Sequence, residues 1–452
     1  MKRVWIIGPL VASLVLLNSG QAMAGENYLS RQGSTGNGSG QLSALVAEAL
    51  AGNPDLKSAE ARWEMAKHRI IPAGSLDDPR LSFALSNYPI DSFAGDETPM
   101  TGKEFQLSQM LPFPGKLGSK KEMAELQAQW YRRLYEDARL QLVREVKDAW
   151  YQVYFQQQAI AITHENVAIL DDFIRLTETR YEVGTGLQQD VLKAQVERSK
   201  LLDRLFNLQQ QHTSSLAEFN RLLSRTADTP LEIPHELEPT QVTGDLQGLL
   251  KESRTHRPVF AGYQSVIDRF QAQRKLARLD YYPDVNLWAG YRQREEVPGD
   301  PAEGTDFVSA GFSINIPLWQ GKRRAAAAEA DSGVRMALSQ LQDLGTRIDF
   351  AISDQYAKLT KNRDLVELFR TGIIPQAEQS FEATLSAYQV GDVDFLNLLD
   401  SQLTLYRYQI DYHRALSDYE RSVAGLEAAV GKDLGGQNHK DRINRDIQDS
   451  QD

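Results

Sequence analysis

Two pairs of segments alternate apolar and polar residues with a period of two. In the first pair Leu81, Phe83 and Leu85 alternate with small or polar neighbours, and after a polar loop Phe105 and Leu107 do the same. In the second pair the apolar positions are Val285, Leu287, Ala289 and Tyr291, then Val308, Ala310, Phe312, Ile314 and Ile316. Such alternation gives a strand one apolar and one polar face. It predicts two β-hairpins, 80–88 with 104–111 and 284–292 with 307–317. They close on Pro112-Phe-Pro-Gly-Lys116 and on Leu318-Trp-Gln-Gly-Lys322. Strands of about 9 to 11 residues with this pattern suit a bilayer-spanning β-barrel whose outer face meets lipid and whose lumen meets water. Four strands cannot close one, because the smallest common barrels need about eight. The barrel is therefore expected to be shared between chains.

Elsewhere the period becomes helical. Leu42, Leu45, Val46 and Leu50 open a helix that breaks and restarts at Asn53-Pro54. From 116 to 181 there is no proline and only Gly118, which predicts a helix of about 100 Å. Val143, Val146, Trp150 and Val153 are spaced three and four apart. The pattern continues with Val191, Ala194, Leu201, Leu205 and Leu208, and again with Leu396, Leu399, Leu403, Tyr406, Ile410 and His413. This is a coiled-coil seam, a signal that an ordinary antiparallel bundle shares. Gly184 and Gly186 allow the positive φ of a helix-to-helix turn. Pro230, Pro234 and Pro239 mark a non-helical connection.

The landmarks repeat roughly 205 residues apart. Pro258 answers Pro54, Gly321-Lys322 answers Gly115-Lys116, and Tyr388-Gln-Val-Gly391 answers Tyr181-Glu-Val-Gly184. A tandem duplication follows, with a first repeat at 41–223, a linker at 224–244 and a second repeat at 245–431. Each repeat is helix, hairpin, long helix, turn and helix. Before them, Met1-Lys-Arg3, an apolar run and Ala22-Met-Ala24 read as a cleaved signal peptide at 1–24. A retained anchor is disfavoured because the run is shorter than the roughly 20 residues a spanning helix needs. The glycine- and serine-rich 25–40 reads as a flexible tether, and 432–452 as a polar tail.

Composition narrows the function classes. The formal net charge is -11, and loss of Lys2 and Arg3 makes it two units more negative, which disfavours nucleic acid as a partner. Without cysteine there is no disulfide, thiolate site or lipid-bearing cysteine, so the barrel alone must hold the protein in its membrane. His164-Glu165 lacks the second histidine of a zinc-protease helix, and no nucleophile elbow or phosphate loop occurs. No enzyme, cofactor or metal site is expected. His413, on an apolar seam, reads as a packed core histidine. Phe113 and Trp319 suit an interfacial aromatic girdle, and Lys116 and Lys322 suit lipid phosphates. A cation at a helix start opposes the helix dipole, so Lys116 requires compensation.

These residues resemble the TolC family of outer-membrane efflux channels over about Leu42 to Gly431. The resemblance rests on the duplication, the paired hairpins, the turns Pro112-Phe-Pro-Gly-Lys116 and Pro317-Leu-Trp-Gln-Gly-Lys322, and the two Tyr-x-Val-Gly tips. It implies a mainly α chain with a membrane β-barrel contribution. Three copies would supply four strands each to a 12-stranded barrel, and their coiled-coil helices would form a trimeric α-barrel in the periplasm. It implies a periplasmic adaptor and an inner-membrane pump as partners. Ser108-Gln-Met-Leu-Pro-Phe-Pro-Gly-Lys116 looks closest to the branch serving heavy-metal pumps of the resistance-nodulation-division class.

The resemblance also implies a periplasmic gate. Asp400 would be the ring acid, and Tyr388 the locking tyrosine with Asp190 as its partner. Asn397 stands where a second ring acid is expected, and Val393 where some members carry an arginine. Gly184, Thr185, Gly186, Gly391 and Asp392 would form the adaptor-docking tips. The expected function is passive conduction of heavy-metal cations. A general drug or type I secretion duct is the alternative, and a soluble periplasmic adaptor or a self-contained pore-forming toxin would be rivals of other classes.

Overall fold

A computed structural model describes residues 38–435. The chain runs α1 (Gly38–Gly52), α2 (Pro54–His68), α3 (Ile70–Gly74), β1 (Arg80–Ser86), β2 (Gly102–Leu111), α4 (Lys116–Glu182) and α5 (Gln188–Leu222). After a non-helical linker it repeats as α6 (Leu246–His256), α7 (Pro258–Leu279), β3 (Val285–Gln293), β4 (Phe307–Ile314), α8 (Gln320–Leu368), a π-helical turn (Phe369–Ile373), α9 (Ile374–Val390) and α10 (Phe395–Val430).

Local chemistry explains the breaks. Asn53 caps α2 by accepting from the backbone N–H groups of Asp55 and Leu56 at 3.0 and 3.1 Å, with Pro54 just inside the helix. Its Nδ2 also donates to the Leu222 carbonyl at 3.0 Å, so the break ties the start of the repeat to its end. Helix α4 runs unbroken for 67 residues, about 100 Å. Its counterpart in the second repeat is interrupted by the π turn ahead of Pro375, which lacks the N–H that a continuous α ladder needs.

The four strands make one antiparallel sheet in the order β1-β2-β3-β4, with β1 and β4 as free edges. Leu81 lies opposite Leu107, which lies opposite Ala289, which lies opposite Ala310. Leu81, Phe83, Leu107, Leu287, Val308 and Phe312 therefore share one face, and each is exposed, Val308 at 80%. The other face carries Ser82, Gln106, Ser108, Asn286, Trp288 and Ser309. An apolar face this exposed across a whole sheet marks a membrane or partner surface.

Two strands are shorter than their apolar patterns. β1 stops at Ser86 because Asn87 takes φ 58° and its carbonyl accepts from Thr101 Oγ1 at 3.0 Å. β4 stops at Ile314, which already lies opposite the first residue of β3, so Ile316 and Pro317 have no partner. Trp288 lies across from Gly311, where a Cβ would come within 2.8 Å of the indole. Gly311→Val should therefore lower unfolding stability by about 1–3 kcal/mol through overpacking. Denaturant unfolding of the membrane-inserted protein checks this, and an unchanged midpoint would refute the packing argument.

Three apolar cores join the helices. One contains Val146, Trp150, Phe219 and Leu416; the second contains Leu170, Ala194, Leu201, Phe395 and Ile410; the third contains Leu249, Ile352 and Leu426. Two seam positions differ from expectation. Leu142 is buried where Val143 is only half-buried, and Leu396 is exposed while Phe395 and Leu398 turn inward. Beyond Leu396 the expected α10 positions Leu399, Tyr406 and Ile410 are buried.

Two terminal boundaries also shift. α1 begins at Gly38, so the last three residues of the expected tether are helical. Leu434 is buried and Gly435 bridges to Val242, so 432–435 packs against the linker instead of leaving as a polar tail. The expected signal peptide at 1–24, the rest of the tether at 25–37 and the tail at 436–452 lie outside the described residues.

Candidate functional site: membrane rim, hairpin tips and α10

The rim is where strands become helices. Phe113 stacks on Tyr282 with ring centroids 4.5 Å apart, and its backbone N–H donates to Asp284 Oδ1 at 2.8 Å. Gly115 takes φ 95°, which turns the chain into α4. Lys116 then corrects an expectation. It is buried, with Nζ 2.8 Å from Asp284 Oδ1, 3.3 Å from Asp280 Oδ1 and donating to the Tyr282 carbonyl at 3.2 Å. A cation committed to three oxygens beneath the protein surface does not meet lipid phosphates. Its acids supply the compensation that a cation at a helix start requires. Trp319 is 78% exposed, and Lys322 is also exposed.

At the opposite end of α4 lies the first tip. Gly184 takes φ 76°, and the N–H groups of Thr185 and Gly186 both donate to the Arg180 carbonyl at 2.9 Å. Gly186 is required by close approach, since a Cβ there would stand 2.9 Å from that of Arg180. The second tip closes on Gly391, φ 89°, with the Asp392 N–H donating to the Ala387 carbonyl at 2.9 Å. Val183, Leu187 and Val390 expose apolar side chains around these glycines.

Arg180 joins the two tips. Its Nη2 donates to the carbonyls of Tyr388 and Gln389 at 2.8 and 3.0 Å, and its guanidinium lies 4.2 Å from the Tyr388 ring centroid. Tyr388 is buried, and burial pushes its hydroxyl pKa up. Asp190 sits in the first turn of α5, its carboxyl pKa also raised by burial. No hydrogen bond joins Asp190 to Tyr388 among the described residues of one chain, where Arg180 is the charged side chain against Tyr388. The sequence signal was available, because Arg180 immediately precedes Tyr181 in the tip motif.

Asn397 and Asp400 are both exposed on α10. Asp394 caps that helix by accepting from the Asn397 N–H at 3.0 Å. Arg407 lies two turns beyond Asp400 and is exposed as well. Sequence reasoning missed a buried acidic pair farther along. Glu420 accepts from the Thr240 N–H at 2.6 Å and from its hydroxyl at 2.8 Å, pinning the linker. Glu427 pairs with Lys147 at 2.5 Å and accepts from the Leu434 N–H at 3.2 Å. Burial raises both carboxyl pKa values. Nothing in a one-dimensional pattern separates these acids from solvated ones.

His413 is packed as expected, with Nδ1 3.2 Å from Tyr154 Oη and its ring beside Tyr412. Burial lowers its pKa to about 4. The unfolded chain then binds more protons, so the stability present above about 6.5 is lost as pH falls toward 4, by about 3 kcal/mol in all. Comparing His413→Gln with the unchanged protein isolates this from the oppositely shifted Glu420 and Glu427. The stability difference should shrink by that amount between pH 7 and 4, and a constant difference would sink the assignment.

An open-edged four-stranded sheet with one exposed apolar face, continued by a helix of about 100 Å, is the arrangement expected of a chain that supplies part of a membrane barrel. The chain belongs to the outer membrane efflux protein family, whose model matches residues 45–225 and 249–432. It is 24% identical over 414 residues to outer membrane efflux protein BepC of Brucella suis, covering 89% of this chain and 85% of that one. It is 21% identical over 398 residues to cobalt-zinc-cadmium resistance protein CzcC of Cupriavidus metallidurans, covering 86% and 90%. Among solved structures it superposes on the outer membrane protein VceC of Vibrio cholerae with TM-score 0.73 and 20% identity, covering 87% of this chain and 97% of that one. CusC gives 0.69 at 16% identity, covering 87% and 92%. These likenesses place the fold with outer-membrane channels.

Proposed function

We propose that this chain is the outer-membrane duct of a tripartite efflux system. It is a homotrimer with a 12-stranded barrel, fed through a periplasmic adaptor by an inner-membrane pump and exported by a cleaved signal peptide. The observation that carries the reading is the exposed apolar face of a sheet too small to close alone. In this reading each β1 pairs with the β4 of a neighbour, satisfying edges that cannot stay unpaired in lipid. Phe113, Trp319 and Lys322 meet the periplasmic interface.

The tips at Gly184, Thr185, Gly186, Gly391 and Asp392, with exposed Val183, Leu187 and Val390, dock the adaptor. Asp400 lines the narrowest point, and Arg180 with Tyr388 holds the tips closed. An adaptor that binds the open arrangement better shifts the population toward it. Conduction is passive, energy comes from the pump, and a ring of carboxylates favours cations.

For cargo, heavy-metal cations are the first reading, supported by the exposed carboxylate of Asp400 and the likeness to CzcC. A general duct is the second, favoured by relatives of similar identity named for other cargo, such as pyoverdine export protein OpmQ of Pseudomonas aeruginosa at 23%. A deletion strain tested against divalent metals, dyes, detergents and antibiotics separates them. Sensitivity to metals alone supports the first, whereas sensitivity to dyes and drugs alone overturns it in favour of the second.

A further inference from the structure

A cleft of about 630 Å³ between α7 and α8 is lined by Gln271, Arg274, Lys275, Arg278, Asp331 and Arg335. Four cations face it against one carboxylate, in a chain whose net charge is -11. Arg274 Nε reaches Asp331 Oδ1 at 2.9 Å, and Lys275 Nζ reaches Glu122 Oε2 at 3.4 Å. Arg278 and Arg335 have no acidic partner within 4.0 Å among the described residues. The Arg335 guanidinium donates only to the neutral Ser332 hydroxyl, at 2.9 Å.

This arrangement carries a cost. Arg274 and Arg278 are like charges one turn apart on the helix, an arrangement that destabilises it. The dipole at the α7 C-terminus offsets that for Arg278 beside Leu279. It does nothing for Arg335, which lies well inside α8. Unpaired guanidiniums lining one cleft offer several donors to phosphate oxygens.

The cleft also lies close to the strands. Arg274 is about 8 Å along α7 from its end at Leu279, just before β3. Arg323 Nε donates to the Asp280 carbonyl at 2.6 Å and locks α8 to α7 at that level. The upper end of the cleft, at Arg278, therefore stands just beneath the strands, and the cleft runs down between the helices toward Arg335, about 22 Å into α8.

We propose that this cleft binds the phosphate of an anionic lipid headgroup in the periplasmic leaflet. The inference rests on the outer-membrane reading and adds a lipid site to it. The test uses the detergent-purified assembly, native mass spectrometry and two lipids, phosphatidylglycerol and zwitterionic phosphatidylethanolamine, with inorganic pyrophosphate as a soluble probe.

Phosphatidylglycerol should be retained about tenfold more than phosphatidylethanolamine. The double variant Arg278→Gln with Arg335→Gln should lose that preference, while the corresponding lysine pair should keep most of it. The substituted side chains are exposed, so the assembly should stay intact. An undiminished preference for phosphatidylglycerol in the glutamine variant overturns the proposal. Binding of pyrophosphate alone would move the source from membrane to water and also overturn the lipid assignment. A wild-type protein that inserts into vesicles yet shows no preference fails this proposal only, whereas one that does not insert fails the membrane reading beneath it.

Discussion

Leu107→Arg is expected to abolish stable membrane insertion, at a cost of about 2–4 kcal/mol in each chain. Leu107 sits mid-strand on the apolar face, opposite Leu81 and Ala289, and is 52% exposed in one chain. An arginine there would face hydrocarbon, with no acid among its cross-strand neighbours. The adjacent Gln106 lies on the polar face opposite Ser82 and Gly290. Gln106→Arg should therefore change stability by no more than about 0.5 kcal/mol. Unfolding in lipid vesicles measures both. If the two variants behaved alike, the sheet would not have one lipid and one water face.

Arg180→Ala is expected to open the periplasmic end. It removes a guanidinium from the Tyr388 ring and two charge-assisted hydrogen bonds to the Tyr388 and Gln389 carbonyls. Together these are worth about 2–3 kcal/mol. Even half of that shifts a closed-to-open equilibrium about tenfold. Conductance of the isolated assembly in planar bilayers should rise accordingly, with Arg180→Lys intermediate because it keeps the charge and loses the fork. Unchanged conductance in the alanine variant would remove Arg180 and Tyr388 from the gate.

What the sequence carried was whatever depends on period and punctuation. The strands followed from alternation at Leu81, Phe83 and Leu85, and the length of α4 from an uninterrupted run of helix formers. The helix break followed from Asn53-Pro54, and the tip turns from Gly184 and Gly391, whose positive φ leaves few other residues suitable. The fold was legible because each element owes its existence to local chemistry that tertiary packing then reinforces.

The site was less legible because its contacts are long-range. Arg180 and Tyr388 lie in different repeats, and no spacing rule brings them together. Lys116 read as a rim cation because the sequence does not reveal that Asp280 and Asp284 fold back over it. Glu420 and Glu427 resemble any other helix carboxylates until Thr240, Lys147 and Leu434 close around them. The π turn at Phe369–Ile373 was equally hidden, since Pro375 alone signals an interruption but not its form.

The central claim is that one chain supplies only part of a barrel. The mass of the detergent-solubilised protein, with its lipid and detergent shell subtracted, tests that most directly. The account predicts a complex of three chains that needs detergent to stay in solution and conducts ions when reconstituted. A monodisperse single chain that remains soluble after detergent removal would contradict it.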